Sequence, residues 1–371
     1  MRPGTSNDGR TSVLTFHGRT DMDRSSTTRM STRAHAAPVR VRAHAKINLD
    51  LRVGARRADG FHDLTTILQS VALYDTVSLR AVEGPCRVRC AAAGVPADED
   101  NLVWRVAQRL WGELGRRGDP SGVTITITKR IPVAAGLGGG TTDAVAALRG
   151  LCRLWGASLG ASRLHELAAA VGADGPFFLI GGTAVGVGRG DEVYPLAELP
   201  RYWVVLAVPP RRVSTTMAYD WIDRDTSAYR GRRVAGTRRV PPIVGSTLDL
   251  AALTNDLQRP VGRRRPEIRA AIRTLAGAGA LPAAMTGSGS AVFGLFARRA
   301  HAIAAAGAVR RDGWTVLVTR TLDRVEIVKR IWIEGAGPAA DRSGRLLSPA
   351  PVPAPGTSRT PRCLPVSGSS G

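Results

Sequence analysis

The segment from Ile131 to Ala144, Ile-Pro-Val-Ala-Ala-Gly-Leu-Gly-Gly-Gly-Thr-Thr-Asp-Ala, constrains this chain more than any other. An alternating run from Val123 to Ile127 enters it as a strand, and a helical pattern leaves it. Between them, four of the five residues from Gly136 to Gly140 are glycine, followed by two hydroxyl residues. Glycine lets backbone N–H groups turn freely and approach a ligand closely. The start of a helix adds unpaired donors and the positive end of its dipole. Together they predict a phosphate cradle. No Gly-Lys-Ser/Thr follows, and the spacing is not that of a dinucleotide fingerprint. A protein-kinase glycine loop is excluded as well, since no His-Arg-Asp or Asp-Phe-Gly segment occurs.

Composition narrows the setting. The 371 residues are 43% hydrophobic and allow two domains. No apolar run reaches the roughly 18–20 residues of a membrane span, so no membrane partner is expected. The net charge of +22 raises the question of nucleic acid. It is almost all arginine, scattered and with few aromatics among it; the only lysines are Lys46, Lys129 and Lys329. That reads as a solvated basic surface attracting anionic small molecules, with no nucleic-acid partner. Cys86, Cys90, Cys152 and Cys363 form no metal-type pair and fit reduced thiols of a cytoplasmic protein. Residues 1–38 and 335–371, rich in Ser, Arg, Gly or Pro, are expected to be disordered, and a true start downstream of Met1 would explain the first of them.

Three further segments carry polar residues that need a reason. Val39 to Leu51 alternates as a strand, which places Lys46 and Asn48 together on the face opposite Ala45, Ile47 and Leu49. That face is either solvated or functional; a lysine kept where arginine is otherwise used favours a compact point charge. Asp174, in Gly-Ala-Asp-Gly-Pro-Phe-Phe, is either a turn or cap residue or a base. Phe61-His62 follows the turn Arg56 to Gly60 and suits either packing or a planar ring. A helix is expected from Asn101 to about Leu114, and an arginine-rich insert from Arg224 to Val244. Strands and helices intermix without a regular βαβ cadence, which favours α+β in two domains.

In this order, the motifs resemble the GHMP kinase superfamily. They are Ala45 to Leu49, Arg56 to Leu64, Pro132 to Thr142, Gly172 to Phe177, Val213 to Thr215, Asn255 to Leu257 and Met285 to Ser290. The Arg-Arg-x-Asp-Gly-aromatic-His segment resembles the branch that phosphorylates the 2-hydroxyl of 4-diphosphocytidyl-2-C-methyl-D-erythritol on the methylerythritol phosphate route to isoprenoids. The resemblance spans about Val39 to Arg330. It implies a ribosomal protein S5 domain 2-like N-terminal domain over 39–198 and a ferredoxin-like C-terminal domain over 199–334, in a monomer or homodimer using ATP and Mg2+.

Residue by residue, the resemblance implies Asp174 as catalytic base and Lys46 as its paired cation. Pro132, Val133, Ala134, Ala135, Gly136, Leu137, Gly138, Gly139, Gly140, Thr141 and Thr142 would hold ATP, with Thr142 beside the metal and Asn101 and Lys129 flanking the adenine. Asn48, Phe61, His62, Tyr219, Gly287 and Ser288 would face the substrate, with Trp221 an alternative to Tyr219 as stacking ring. The chain departs from the family in having Gly175 where valine is usual, which is expected to loosen packing, and His44 where proline is common. Other small-alcohol kinases of the superfamily, such as homoserine or mevalonate kinases, are the nearest alternatives. A nucleic-acid-binding protein and a pseudokinase on the same fold are the others.

Overall fold

A computed structural model describes residues 37–227, 243–244 and 247–333. The expected tails, apart from residues 37–38, most of the Arg224–Val244 insert and Cys363 lie outside the described residues. Two long strands organise the first half, β1 (Val39–Arg56) and β2 (His62–Pro85), joined by the expected turn at Arg57–Gly60. β2 is one strand of 24 residues. Length serves topology here. From His62 to Leu79 β2 pairs antiparallel with β1, and on its other edge it pairs first with β5 (Thr183–Gly188) and then with β4 (Ser121–Thr128). The short strands β3 (Arg87–Cys90) and β6 (Glu192–Pro195) close the two ends of this six-stranded sheet.

Helices α1 (Leu102–Glu113) and α2 (Gly139–Trp155) cover one end of the sheet, packing Val103, Val106, Leu110, Leu148 and Leu151 on Val41, Leu79, Ile125 and Ile127. Asn101 starts α1 as expected, its Oδ1 accepting from Val103 N at 2.9 Å. Two short helices follow α2: α3 (Ala161–Ala169) and α4 (Gly175–Ile180).

The second half builds an antiparallel sheet in the order β10-β11-β7-β12, from β7 (Trp203–Val208), β10 (Ala283–Met285), β11 (Val292–Phe296) and β12 (Thr315–Arg320). A two-stranded ribbon, β8 (Ile243–Val244) and β9 (Thr247–Leu248), lies apart from it. The unbroken apolar run of β7 is that of a strand buried on both faces. Val205 and Ala207 face helices α5 (Thr215–Ser227), α6 (Gln258–Arg264), α7 (Pro266–Gly277) and α8 (Arg299–Val309). Val204, Leu206, Phe293 and Leu295 instead meet Ala45, Ile47, Leu49 and Ile67 of the first sheet. A last helix, α9 (Arg324–Arg330), returns to β1, where Arg42 N donates to Ile331 O at 2.7 Å. This is the expected α+β arrangement. Among the described residues, no helix is long and apolar enough to cross a membrane.

Candidate active site

The odd residues of β1 from Val39 to Val53 fill the cores, as their alternation requires. The even residues His44, Lys46, Asn48 and Asp50 are polar yet equally buried, Lys46 being only 6% exposed. A solvated face is therefore ruled out. Lys46 Nζ donates to Asn48 Oδ1 at 2.7 Å and lies 3.7 Å from Asp174 Oδ2. Asn48 in turn donates through Nδ2 to Thr66 Oγ1 at 2.9 Å, and its backbone N–H donates to Thr286 Oγ1 at 2.9 Å. Burial pulls the Lys46 ammonium below its ordinary pKa, and Asp174 opposes that shift. Asp174 stands at the start of α4, but its carboxylate makes no capping bond and keeps 26% side-chain exposure toward the cleft.

Opposite this pair lies the glycine loop. Gly138 adopts the left-handed conformation that starts α2 (φ 71°), and a β-carbon there would sit 2.5 Å from the Phe178 ring and 3.1 Å from Asp174 Oδ2. The first intrahelical bond of α2 is Thr142 N to Gly138 O, so the N–H groups at the helix start face the cleft ahead of it. The second glycine turn packs directly behind the first. A β-carbon at Gly136 (φ 79°) would meet Thr286 O at 2.5 Å, and one at Gly287 (φ 56°) would meet Gly136 O at 3.2 Å. Asn255 braces that second turn, donating to Met285 O and Gly287 O at 2.8 and 2.9 Å. The enclosed cleft has a volume of about 700 Å³, suited to sizeable small molecules.

Lys46, Asn48, Phe61, His62, Asp174, Tyr219, Gly287, Ser288 and the loop from Ala134 to Thr141 all line this one cleft. Residues 101–182 match the GHMP kinases N terminal domain, and residues 244–313 match the GHMP kinases C terminal domain. The chain is 39% identical to a 4-diphosphocytidyl-2-C-methyl-D-erythritol kinase from Geobacter sulfurreducens, over 76% of this chain and 98% of that one. It is 43% identical to a kinase of the same name from Gloeobacter violaceus, over 71% and 87%. A crystal structure of 4-(cytidine 5'-diphospho)-2C-methyl-D-erythritol kinase superposes with a TM-score of 0.61 at 32% identity, covering 76% of this chain and 98% of that one. The chain belongs to this kinase family, within the GHMP kinases. A homoserine kinase from Cytophaga hutchinsonii, 18% identical with a TM-score of 0.57 over 77% and 95% of the two chains, shares the fold alone.

Several expected residues stand elsewhere in the kinase. Asn101 spends both polar atoms locally, on the α1 cap and on Pro96 O at 2.6 Å, and does not line the cleft. Lys129 is likewise outside it, boxed between Asp75 at 2.5 Å and Asp143 at 2.7 Å. Pro132 and Val133 lead into the loop without lining the cleft. Thr142, 3% exposed, turns to a separate small cavity beside His44 and Arg149; the loop hydroxyl lining the cleft is that of Thr141. A helix advances about 100° per residue, so neighbouring threonines cannot share a face. At Gly139 a β-carbon would meet Ile131 and Lys129, so Gly138 is the position where added bulk meets Asp174. Gly175 does not loosen packing: a β-carbon there would overlap Ala168 O, so glycine is what lets α4 close against α3.

Tyr219 is the aromatic of α5 that reaches the cleft. Its ring stacks on His62 with centroids 5.2 Å apart, and burial raises its pKa. Trp221 lies under the Arg264 guanidinium, against the second-half core. His62 Nε2 pairs with Asp223 Oδ1 at 2.9 Å. Asp220, Asp223 and Arg189 also line the cleft and were not singled out from the sequence; Arg56, which lines it too, was read there only as part of a turn and motif. The i, i+4 spacing of Tyr219 and Asp223 was the available signal, once residues 215–227 are recognised as helical. Among the described residues, no group of three His, Cys, Asp or Glu side chains gathers as a metal site.

Proposed function

We propose that this kinase transfers the γ-phosphoryl group of ATP to the 2-hydroxyl of 4-diphosphocytidyl-2-C-methyl-D-erythritol, giving the 2-phosphate and ADP for isoprenoid synthesis. The observation that carries the mechanism is the Lys46–Asp174 pair at 3.7 Å, facing a glycine loop and the start of a helix across one cleft. Asp174 takes the proton as the substrate hydroxyl attacks. Its freedom from capping leaves both oxygens for that task. Lys46, fixed by Asn48 and beside Asp174, offsets charge on the phosphoryl group in flight. N–H groups from Ala135 to Thr141 hold the ATP phosphates.

The site would take Mg2+ together with the nucleotide, which would supply neutralisation of phosphate charge. Thr141, the loop hydroxyl that lines the cleft, would help to hold it. His62, Tyr219 and Phe61 receive the cytosine ring, and Phe61, 57% exposed, is free to move against it. We divide the chain at residues 198 and 199 into catalytic and closing domains, acting in the cytoplasm without nucleic acid.

A coupled ADP-release assay with magnesium-ATP, offering the cytidine substrate beside homoserine and mevalonate, tests this reading. Turnover on the cytidine compound alone is expected. Turnover on either control would keep the chemistry and reject the substrate.

A further inference from the structure

A second cavity, of about 20 Å³, lies beside the first turn of α2 and shares no lining residue with the cleft. Its polar lining is Arg42 and His44 from β1, Ser70 from β2, and Thr142 and Arg149 from α2. His44 is 8% exposed; both ring nitrogens are buried, one of them toward the Val71 backbone, and neither completes a hydrogen bond among the described residues. Arg149 Nε is buried and unpartnered in the same way; its Nη2 donates to Leu179 O at 2.7 Å. Arg42 donates to Arg330 O. Neither Arg42 nor Arg149 forms an ion pair among the described residues, and no carboxylate lines the cavity. The nearby Glu326 is engaged by Arg201, Arg320 and Arg330.

Buried polar groups without partners are costly, and a buried cation without a counter-charge more so. We infer that this cavity binds one monoatomic anion of the halide class, held by the Arg149 and Arg42 guanidinium groups and a His44 N–H. Size favours a small anion: about 10–15 Å³ admits one water-sized sphere, and the pocket at about 20 Å³ holds little more. Charge favours an anion over water, because both guanidinium groups offer donors only and carry a positive charge that a neutral molecule leaves uncompensated. The lowered basicity of His44, pulled down by burial and then by Arg42, keeps the ring neutral with a single N–H to give. Thr142 joins this site to the phosphate loop, so the bound ion braces the start of α2 from behind.

Bromide is the probe. Crystals grown in bromide are expected to show one anomalous peak between His44 and Arg149. In solution, the thermal midpoint of the full chain should rise saturably with sodium bromide over sodium gluconate at equal ionic strength. Arg149→Met should lose that increment. A cavity without bromide, or an increment unchanged in Arg149→Met, overturns the site. If Arg149→Met does not fold, His44→Phe takes its place and the anomalous peak in the unaltered protein still decides. No readout needs turnover, so failure here leaves the kinase reading intact.

Discussion

Two of the three lysines in this chain are buried beside carboxylates, and they differ in every other respect. Lys129 lies between Asp75 and Asp143, with Asp75 Oδ1 also accepting from Ile131 N at 2.9 Å. Burial pulls its pKa down, but the two carboxylates outweigh that and hold it above the ordinary value. Among the three, burial and then the second carboxylate push Asp143 up to about 8 against the pull of Lys129. Lys46 has one carboxylate at 3.7 Å and an amide, and there burial wins. A boxed ion pair holds a loop in place. A partly matched pair at the wall of a cleft retains capacity for a ligand's charge. The contrast teaches that closeness of charges does not mark a catalytic site; incomplete compensation does.

The comparison breaks first at Asp174. Asp174→Asn should cut kcat by about 10²–10⁴ while the thermal midpoint and ATP affinity stay near those of the parent. Measured turnover near normal would remove Asp174 as base. Lys129→Met should show the reverse pattern. Leaving Asp75 and Asp143 facing each other in the interior should cost about 3–5 kcal/mol in urea unfolding, because a broken buried pair strands its partners. Folded Lys129→Met protein should retain most of its kcat; a catalytic collapse without loss of stability would make the two lysines equivalent after all.

His44 sharpens the point on the same face of β1. Its pKa is pulled from 6.5 to about 4 in the fold, so the unfolded chain binds the proton first as pH falls. Stability from this group is therefore present above pH 6.5 and lost between 6.5 and 4, by roughly 3 kcal/mol. Urea midpoints across that window should fall less steeply in His44→Gln, and parallel curves would contradict the assignment. The smallest effect separates two aromatics of one helix. Tyr219→Leu should raise the KM for the cytidine substrate about tenfold through lost stacking. Trp221→Leu, outside the cleft, should leave that KM unchanged and lower only stability.

Much of the cleft was legible because its signals are local. The glycine loop and the phase of Lys46 and Asn48 follow from neighbouring residues, as does the Asn101 cap outside the cleft. What escaped is non-local. Lys129 lies far in sequence from Asp75, and no pattern at either residue announces the other. Gly175 read as slack because its neighbour, Ala168 O, belongs to another helix. Helix α5 was obscured by the arginine-rich stretch that follows it, which hid the shared face of Tyr219 and Asp223. For Thr141 and Thr142 the motif was visible, but the choice between adjacent hydroxyls needs the helix's rotation.

The apolar layer between the two sheets has a consequence for synthesis. Ala45, Ile47, Leu49 and Ile67 emerge from the ribosome long before Phe293 and Leu295, which cover them. A nascent chain stalled ahead of β11 therefore carries a finished first sheet whose oily side β7 covers only in part. Protease protection of that half should be complete only after β11 clears the exit tunnel.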